Sequence, residues 1–153
     1  MRREAVHEQT SIAEPERVWA VLVRRFTEAG PHSGLGLGAT RLDTGAPVRL
    51  AHPAGRGMRH CRAAFLRVLP GQELSWLART VAPGLFDTEY RVVLEPLPEG
   101  GTRVLLRVRW SGILLPVLWW RWARPQRRAL GAWLRALREG ADSPVDGGPD
   151  TAS

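Results

Sequence analysis

Lysine and asparagine are both absent from this 153-residue chain, and all 22 of its basic residues are arginine. With alanine, glycine and proline abundant, this is the composition of a high-GC coding sequence, in which arginine stands where another genome would encode lysine. The net charge of +7 and the sequence pI near 11.4 are therefore weak evidence for a phosphate-rich partner. No nucleic-acid recognition motif accompanies the charge, so nucleic acid is not expected as a partner. A single cysteine, Cys61, excludes an internal disulfide and a cysteine-based zinc site, and it reads most simply as a small core residue. The longest apolar run, Ile113 to Trp120, falls far short of the roughly 20 residues of a membrane span. The opening MRREAVHEQTS is basic but has no apolar segment behind it, so it is not read as a secretory signal, and a cytoplasmic location is expected. The four histidines, His7, His32, His52 and His60, are scattered with no metal spacing, and neither metal nor cofactor is expected.

What is present is an ordinary share of apolar residues, 44%, in a length that suits one domain with its own core. Glu4 to Ser11 reads as a short first strand. In Ile12 to Arg17, Pro15 suits the first helical position and Glu14 and Glu16 complement a helix N-terminus. Val18, Val21, Leu22 and Phe26 then follow at helical spacing, predicting a helix from Pro15 to Glu28. The glycine-dense GPHSGLGLG, Gly30 to Gly38, reads as a flexible loop, since Gly34, Gly36 and Gly38 lack the GxGxxG register of a phosphate loop. A strand interrupted near Gly45 to Pro47 is expected over Ala39 to Leu50, then a turn at His52 to Gly57.

Clearer strands follow at Arg59–Leu69, Glu73–Thr80, Phe86–Leu97 and Thr102–Trp110, separated by Pro-Gly and Gly-Gly turns. In the last, Val104, Leu106, Val108 and Trp110 share one face and Arg103, Arg107 and Arg109 the other, with Leu105 the exception, the pattern of a sheet with one buried and one wet face. Tyr90, Val92 and Leu94 oppose Glu89, Arg91 and Glu95 in the same way, so acid–arginine pairs are expected across the outer face. In Arg59 to Leu69 the alternation slips, as at a bulge, and leaves the faces of His60, Cys61 and Arg62 unassigned.

The final run, Ser111 to Glu139, carries four of the seven tryptophans. Leu130, Trp133, Leu134 and Leu137 form one apolar helical face, with Arg127, Arg128, Arg135 and Arg138 turned elsewhere. Pro125 is expected to kink this element or to begin its second half. Gly140 stands where a C-terminal cap belongs, and ADSPVDGGPDTAS is read as a disordered acidic tail, dividing the chain into a domain over 1–140 and a tail over 141–153.

Strand, helix, loop, antiparallel strands and a long terminal helix make an α+β pattern. That order, with SIAEPERVWAVL (Ser11–Leu22), GMR (Gly57–Arg59), LPGQELSW (Leu69–Trp76), PGLFDTEYRVVLEPLPEGGTRV (Pro83–Val104) and WSGILLP (Trp110–Pro116), resembles the START-like SRPBCC superfamily in its polyketide cyclase/dehydrase-like branch. The resemblance implies a bacterial protein with the helix-grip fold, an antiparallel sheet wrapped around a long C-terminal helix. Members often carry an aromatic segment such as Trp-Asn-Pro after the first helix, a His at the place of Tyr90, and polar residues at those of Leu106 and Val108. TEAGPHSGLGLG in place of the first implies a cavity mouth that is wider, differently capped or collapsed, and the other replacements imply a pocket more apolar than usual.

The resemblance places a cavity between sheet and terminal helix, lined by Trp76, Tyr90, Val92, Leu106, Val108 and Trp110 from the sheet and by Trp119 and Trp133 from the helix. The competing reading is that these aromatics fill a solid core. Tyr90, the single tyrosine, is a candidate to orient a ligand carbonyl, whereas Asp87 and Glu89 have the spacing of a solvated edge and no catalytic residue is assigned. The expected function is binding of a small hydrophobic ligand, lipid-like or polyketide-like. A cyclase/aromatase-type enzyme using the same cavity is the alternative, and an interaction module with a closed pocket the third reading. The Trp/Arg segment over 114–128 has the composition of a membrane-interface helix, so peripheral membrane contact, or a homodimer through the same patch, is a further expectation.

Overall fold

The structure, a computed structural model, describes residues 2–27, 36–54 and 57–144. Its strands are β1 (Arg2–Ser11), β2 (Gly36–Gly38), β3 (Pro47–Ala54), β4 (Gly57–Leu69), β5 (Glu73–Arg79), β6 (Asp87–Pro96) and β7 (Thr102–Ser111). Helix α1 (Pro15–Thr27) follows β1. After β7 come α2 (Leu115–Leu118), a π-helical turn over Trp119–Ala123, and α3 (Arg124–Asp142). The strands form one antiparallel sheet in the order β1-β7-β6-β5-β4-β3-β2, and α3 lies across its concave face. This is the helix-grip, START-like fold of the α+β class.

Alternation decides which face is inside. Along β6 and β7, every second residue is buried, and the register sets Tyr90 opposite Val108 and Val92 opposite Leu106. The alternate residues face water and pair as their charges require. Arg91 meets Glu73 at 2.8 Å, Arg103 lies 3.3 Å from Glu8 and 3.4 Å from Glu95, and Arg107 lies 3.1 Å from Glu4. Partly exposed pairs such as these contribute about 0–1 kcal/mol each, so the sheet is held by its inner face. There Leu130, Trp133, Leu134 and Leu137 of α3 meet Val18, Leu22 and Phe26 of α1 and the inner residues of the strands in one continuous core. Each such large side chain contributes about 1.5–3 kcal/mol by leaving water.

Three boundaries differ from the sequence expectation. Gly36 to Gly38 is a short strand, pairing Gly36 with Ala51 and Gly38 with Arg49, while residues 30–35 of the expected loop lie outside the described residues. Strand β3 begins at Pro47 and runs through His52 and Pro53, where an interruption and a turn are expected from the sequence. The prolines are tolerated because β2 covers β3 only from Arg49 to Ala51, so both stand where that edge of β3 has no β2 partner. Finally, α3 continues past Gly140 to Asp142. Gly140 packs against α1, where an added Cβ would lie 3.3 Å from Val21 Cγ1. The end of α3 is tied down from outside: Arg17 Nε donates to the Ala141 carbonyl at 2.7 Å, and the Asp142 carboxylate accepts from the Ile12 amide at 3.0 Å and from the Ser11 hydroxyl. Residues 145–153 lie outside the described residues.

The slip in β4 is a bulge between Phe65 and Arg67, and on its N-terminal side Cys61 turns inward while His60 and Arg62 are exposed. At Pro125 the helix neither stops nor simply kinks. Pro125 has no N–H and presses on the carbonyl four residues back, and the widened turn before it, closed by Arg124 N–H donating to Trp119, makes that room. Gly112 sets where this helical run begins. Its φ of +132° favours glycine, and an added Cβ would overlap the Leu85 carbonyl oxygen. The amides of Ile113 and Leu114 can therefore bond the Gly84 and Leu85 carbonyls at 3.1 and 3.0 Å, seating the start of the run on the β5–β6 turn.

Candidate functional site

Seven of the eight residues named for the cavity, Trp76, Tyr90, Val92, Leu106, Val108, Trp110 and Trp133, are buried on the concave side. The strand register assembles most of them, because Trp76 of β5 pairs with Tyr90 of β6, which pairs in turn with Val108 of β7. The Trp76 and Tyr90 rings stack with centroids 5.1 Å apart and planes 10° apart, and Trp133 meets Trp76 edge-on at 6.4 Å. Trp119 is the exception. It is half-buried at the rim, edge-on to Trp110 at 5.5 Å, with the Arg3 guanidinium 4.3 Å above its ring.

The polar centre of this interior is a residue that sequence reading passed over. Gln126 is buried in the first turns of α3, its amide oxygen accepting the Trp110 indole N–H at 2.8 Å and its amide nitrogen donating to the Tyr90 hydroxyl oxygen. The signal was available, since Gln126 lies four residues before Leu130 on the buried stripe of α3, a place where a primary amide must find partners. Burial raises the Tyr90 phenol well above its ordinary pKa, and the neighbouring Cys61 pushes it the same way. Tyr90 is thus a neutral hydroxyl at physiological pH, suited to hydrogen bonding and not to acting as a base. The Trp76 indole N–H, buried in the same cluster, has no hydrogen-bond partner among the described residues.

Phe26, at the end of α1, connects this cluster to the surface. Its ring stands edge-on to Trp76 at 5.0 Å and forms part of the wall of a pocket of about 290 Å³, together with Gly38, Ala39, Pro47 and Arg49. A larger concavity of about 460 Å³ lies on the other side of α3, between it and β1, lined by His7, Arg124, Arg127, Arg128, Arg135 and the small Gly131 and Ala132. Burial, and secondarily Arg127, lower the pKa of His7, whose Nε2 is buried without a partner.

Among the described residues, no catalytic constellation gathers. Asp87 and Glu89 lie on the outer face, where an Asp87 oxygen accepts the Gly84 amide at 3.1 Å and Glu89 lies 3.9 Å from Arg109. Among the described residues, no three His, Cys, Asp or Glu side chains come together as a metal site requires, and no helix is long and apolar enough to cross a membrane.

No protein-family profile matches the sequence, and no curated protein sequence does. The fold has many solved counterparts. A point mutant of norcoclaurine synthase from Thalictrum flavum, in complex with a transition-state analogue, superposes with a TM-score of 0.64 at 10% identity, covering 92% of this chain and 94% of that one. TTHA0849 from Thermus thermophilus gives a TM-score of 0.63 at 20% identity, over 91% and 97% of the two chains. Ara h 8.0201 gives 0.58 at 9% identity, over 93% and 96%. At these identities the likeness is one of fold.

Proposed function

We propose that this protein binds a small, mostly apolar molecule carrying a carbonyl or hydroxyl oxygen, lipid-like or polyketide-like in class, in the grip between sheet and α3. The observation that carries the reading is the Trp76 indole N–H. A buried donor without an acceptor costs about 1–3 kcal/mol, and a ligand oxygen placed beside it recovers that cost. Tyr90 and Gln126 supply further hydrogen-bonding atoms in a wall that is otherwise apolar, the usual constitution of a small-molecule site. The pocket behind Phe26 is the entrance, and its volume suits a compact molecule. Movement of the Phe26 ring joins the pocket to the Trp76 cluster.

The enzymatic alternative, a cyclase or aromatase, has support in the fold, since one counterpart is a synthase. Here its chemistry would fall to Tyr90 alone, as a hydrogen-bond or proton donor. The interaction-module reading draws on a different observation, the mutual contact of the buried aromatic rings, which is the arrangement of a filled core. Tryptophan-fluorescence titration with 2-acetylnaphthalene, a neutral aromatic ketone, separates binding from a filled core. Saturable quenching in the wild type, with affinity roughly fivefold to tenfold weaker in Trp76→Phe, is the expected result. Equal affinity in both proteins would remove Trp76 from the site, and the absence of saturable quenching would favour the filled core.

A further inference from the structure

The segment from Gly100 to Arg138 contains nine arginines and no carboxylate. The three arginines of β7 are paired with glutamates of neighbouring strands. Those of the terminal helical run are different: Arg121, Arg124, Arg127, Arg128 and Arg135 have no carboxylate partner among the described residues. Most of them stand on one exposed stripe that continues, at helical spacing, an apolar row toward the start of the run. In that row Ile113 is 77% exposed, Val117 76% and Trp120 67%. The two halves join at Arg124, whose guanidinium lies 4.7 Å from the centre of the Trp120 ring while it also lines the basic concavity with Arg128 and Arg135.

Three large apolar side chains in water beside a row of unpaired cations are matched by few surfaces. We propose that this stripe docks the protein on an anionic lipid bilayer, with Ile113, Val117 and Trp120 entering the headgroup–acyl boundary and Arg124, Arg128 and Arg135 bound to lipid phosphates. Both contributions that hold an interfacial helix are then supplied by one continuous face, apolar burial by the first half and attraction to anionic headgroups by the second. A nucleic acid would use the arginines but leave the aliphatic row in water. A second copy of this chain, related by a two-fold axis along the stripe, would bury the apolar row only by bringing one arginine row against another, and one related by an axis across the apolar row would leave the arginines without anionic partners. Charge complementarity therefore favours the bilayer. The proposal does not depend on a ligand in the grip.

The test is cosedimentation of the full chain with sucrose-loaded vesicles of equal parts phosphatidylglycerol and phosphatidylcholine, against vesicles of phosphatidylcholine alone. Binding is expected to the anionic vesicles only and to weaken with added salt. Trp120→Ser, at an exposed position where the fold is not at stake, is expected to lower the partition coefficient about tenfold. Val117→Ser is a second variant with the same expectation in direction. Arg124→Gln and Arg128→Gln are each expected to lower it roughly fivefold. No binding to anionic vesicles at low salt, equal binding to both vesicle types, or wild-type partition in both serine variants would overturn the proposal. So would displacement from the vesicles by a duplex oligonucleotide that binds Trp120→Ser as tightly as wild type. A solution dimer that Trp120→Ser converts to monomer would overturn it in favour of self-association.

Discussion

Replacing Gln126 with leucine tests whether the centre of the grip is a hydrogen-bonded unit or ordinary core. The substitution nearly conserves volume and improves hydrophobicity, so a purely apolar account predicts a stable protein. In the structure, however, it leaves the Trp110 indole N–H, which donates to Gln126 at 2.8 Å, without an acceptor. It also strips the Tyr90 hydroxyl of its amide donor, and both groups are buried. An abandoned buried donor or acceptor costs about 1–3 kcal/mol, and the gain from the added apolar surface offsets part of two such costs. A net loss of about 2–4 kcal/mol is expected, a large share of the roughly 5–15 kcal/mol that a domain has. Urea unfolding followed by tryptophan fluorescence measures it. The double variant Tyr90→Phe/Gln126→Leu, which removes one of the abandoned groups, is expected to lose about 1–2 kcal/mol less than the sum of the single losses. Wild-type stability in Gln126→Leu, or strict additivity in the double variant, would refute the reasoning.

Further outcomes follow from the same geometry. Gly112→Ala is expected to lose about 3 kcal/mol or more, since φ is +132° and the new Cβ would overlap the Leu85 carbonyl, and a melting temperature near that of the wild type would contradict it. Asp142→Ala, which releases the Ser11 hydroxyl and the Ile12 amide, is expected to cost about 1.5–3 kcal/mol by denaturant midpoint and to raise amide exchange at the end of α3. His7 has a lowered pKa in the folded protein, so below its unfolded value of 6.5 the unfolded chain holds more protons. Its contribution to stability is therefore complete above pH 6.5 and is lost as pH falls from there toward the folded pKa. Comparison with His7→Gln isolates that slope, and parallel stability–pH curves for the two proteins would rule it out.

The fold was legible because its strands advertise themselves in two independent ways. Apart from Leu105 and Val93, Arg103 to Trp110 and Glu89 to Glu95 alternate, and Pro-Gly or Gly-Gly pairs separate the hairpins, so these strand ends lie within one or two residues of expectation. The outer ion pairs followed from the same alternation. Where breakers stood inside an element the reading failed, because glycine and proline signal local conformation and cannot report the surroundings. Pro53 survives in β3 beyond the reach of β2, and Gly140 serves close packing on α1 and caps nothing. Burial of the named aromatics was readable, yet their mutual arrangement was not, since stacking of Trp76 on Tyr90 depends on rotamers and strand register. Gln126 escaped notice for a related reason: amphipathic patterning counts apolar residues, and a buried amide registers only as a gap in the stripe. The basic concavity around His7 joins residues more than a hundred positions apart, a juxtaposition that the packing of α3 on β1 creates.

Binding in the grip is tested most directly by native and denaturing mass spectra of freshly purified protein. The account predicts that the native mass exceeds the mass of the unfolded chain by that of a small, mostly apolar molecule bearing an oxygen acceptor, and that Trp76→Phe retains less of it. A native mass equal to that of the bare chain, unchanged after incubation with neutral ketones and lactones, would contradict it.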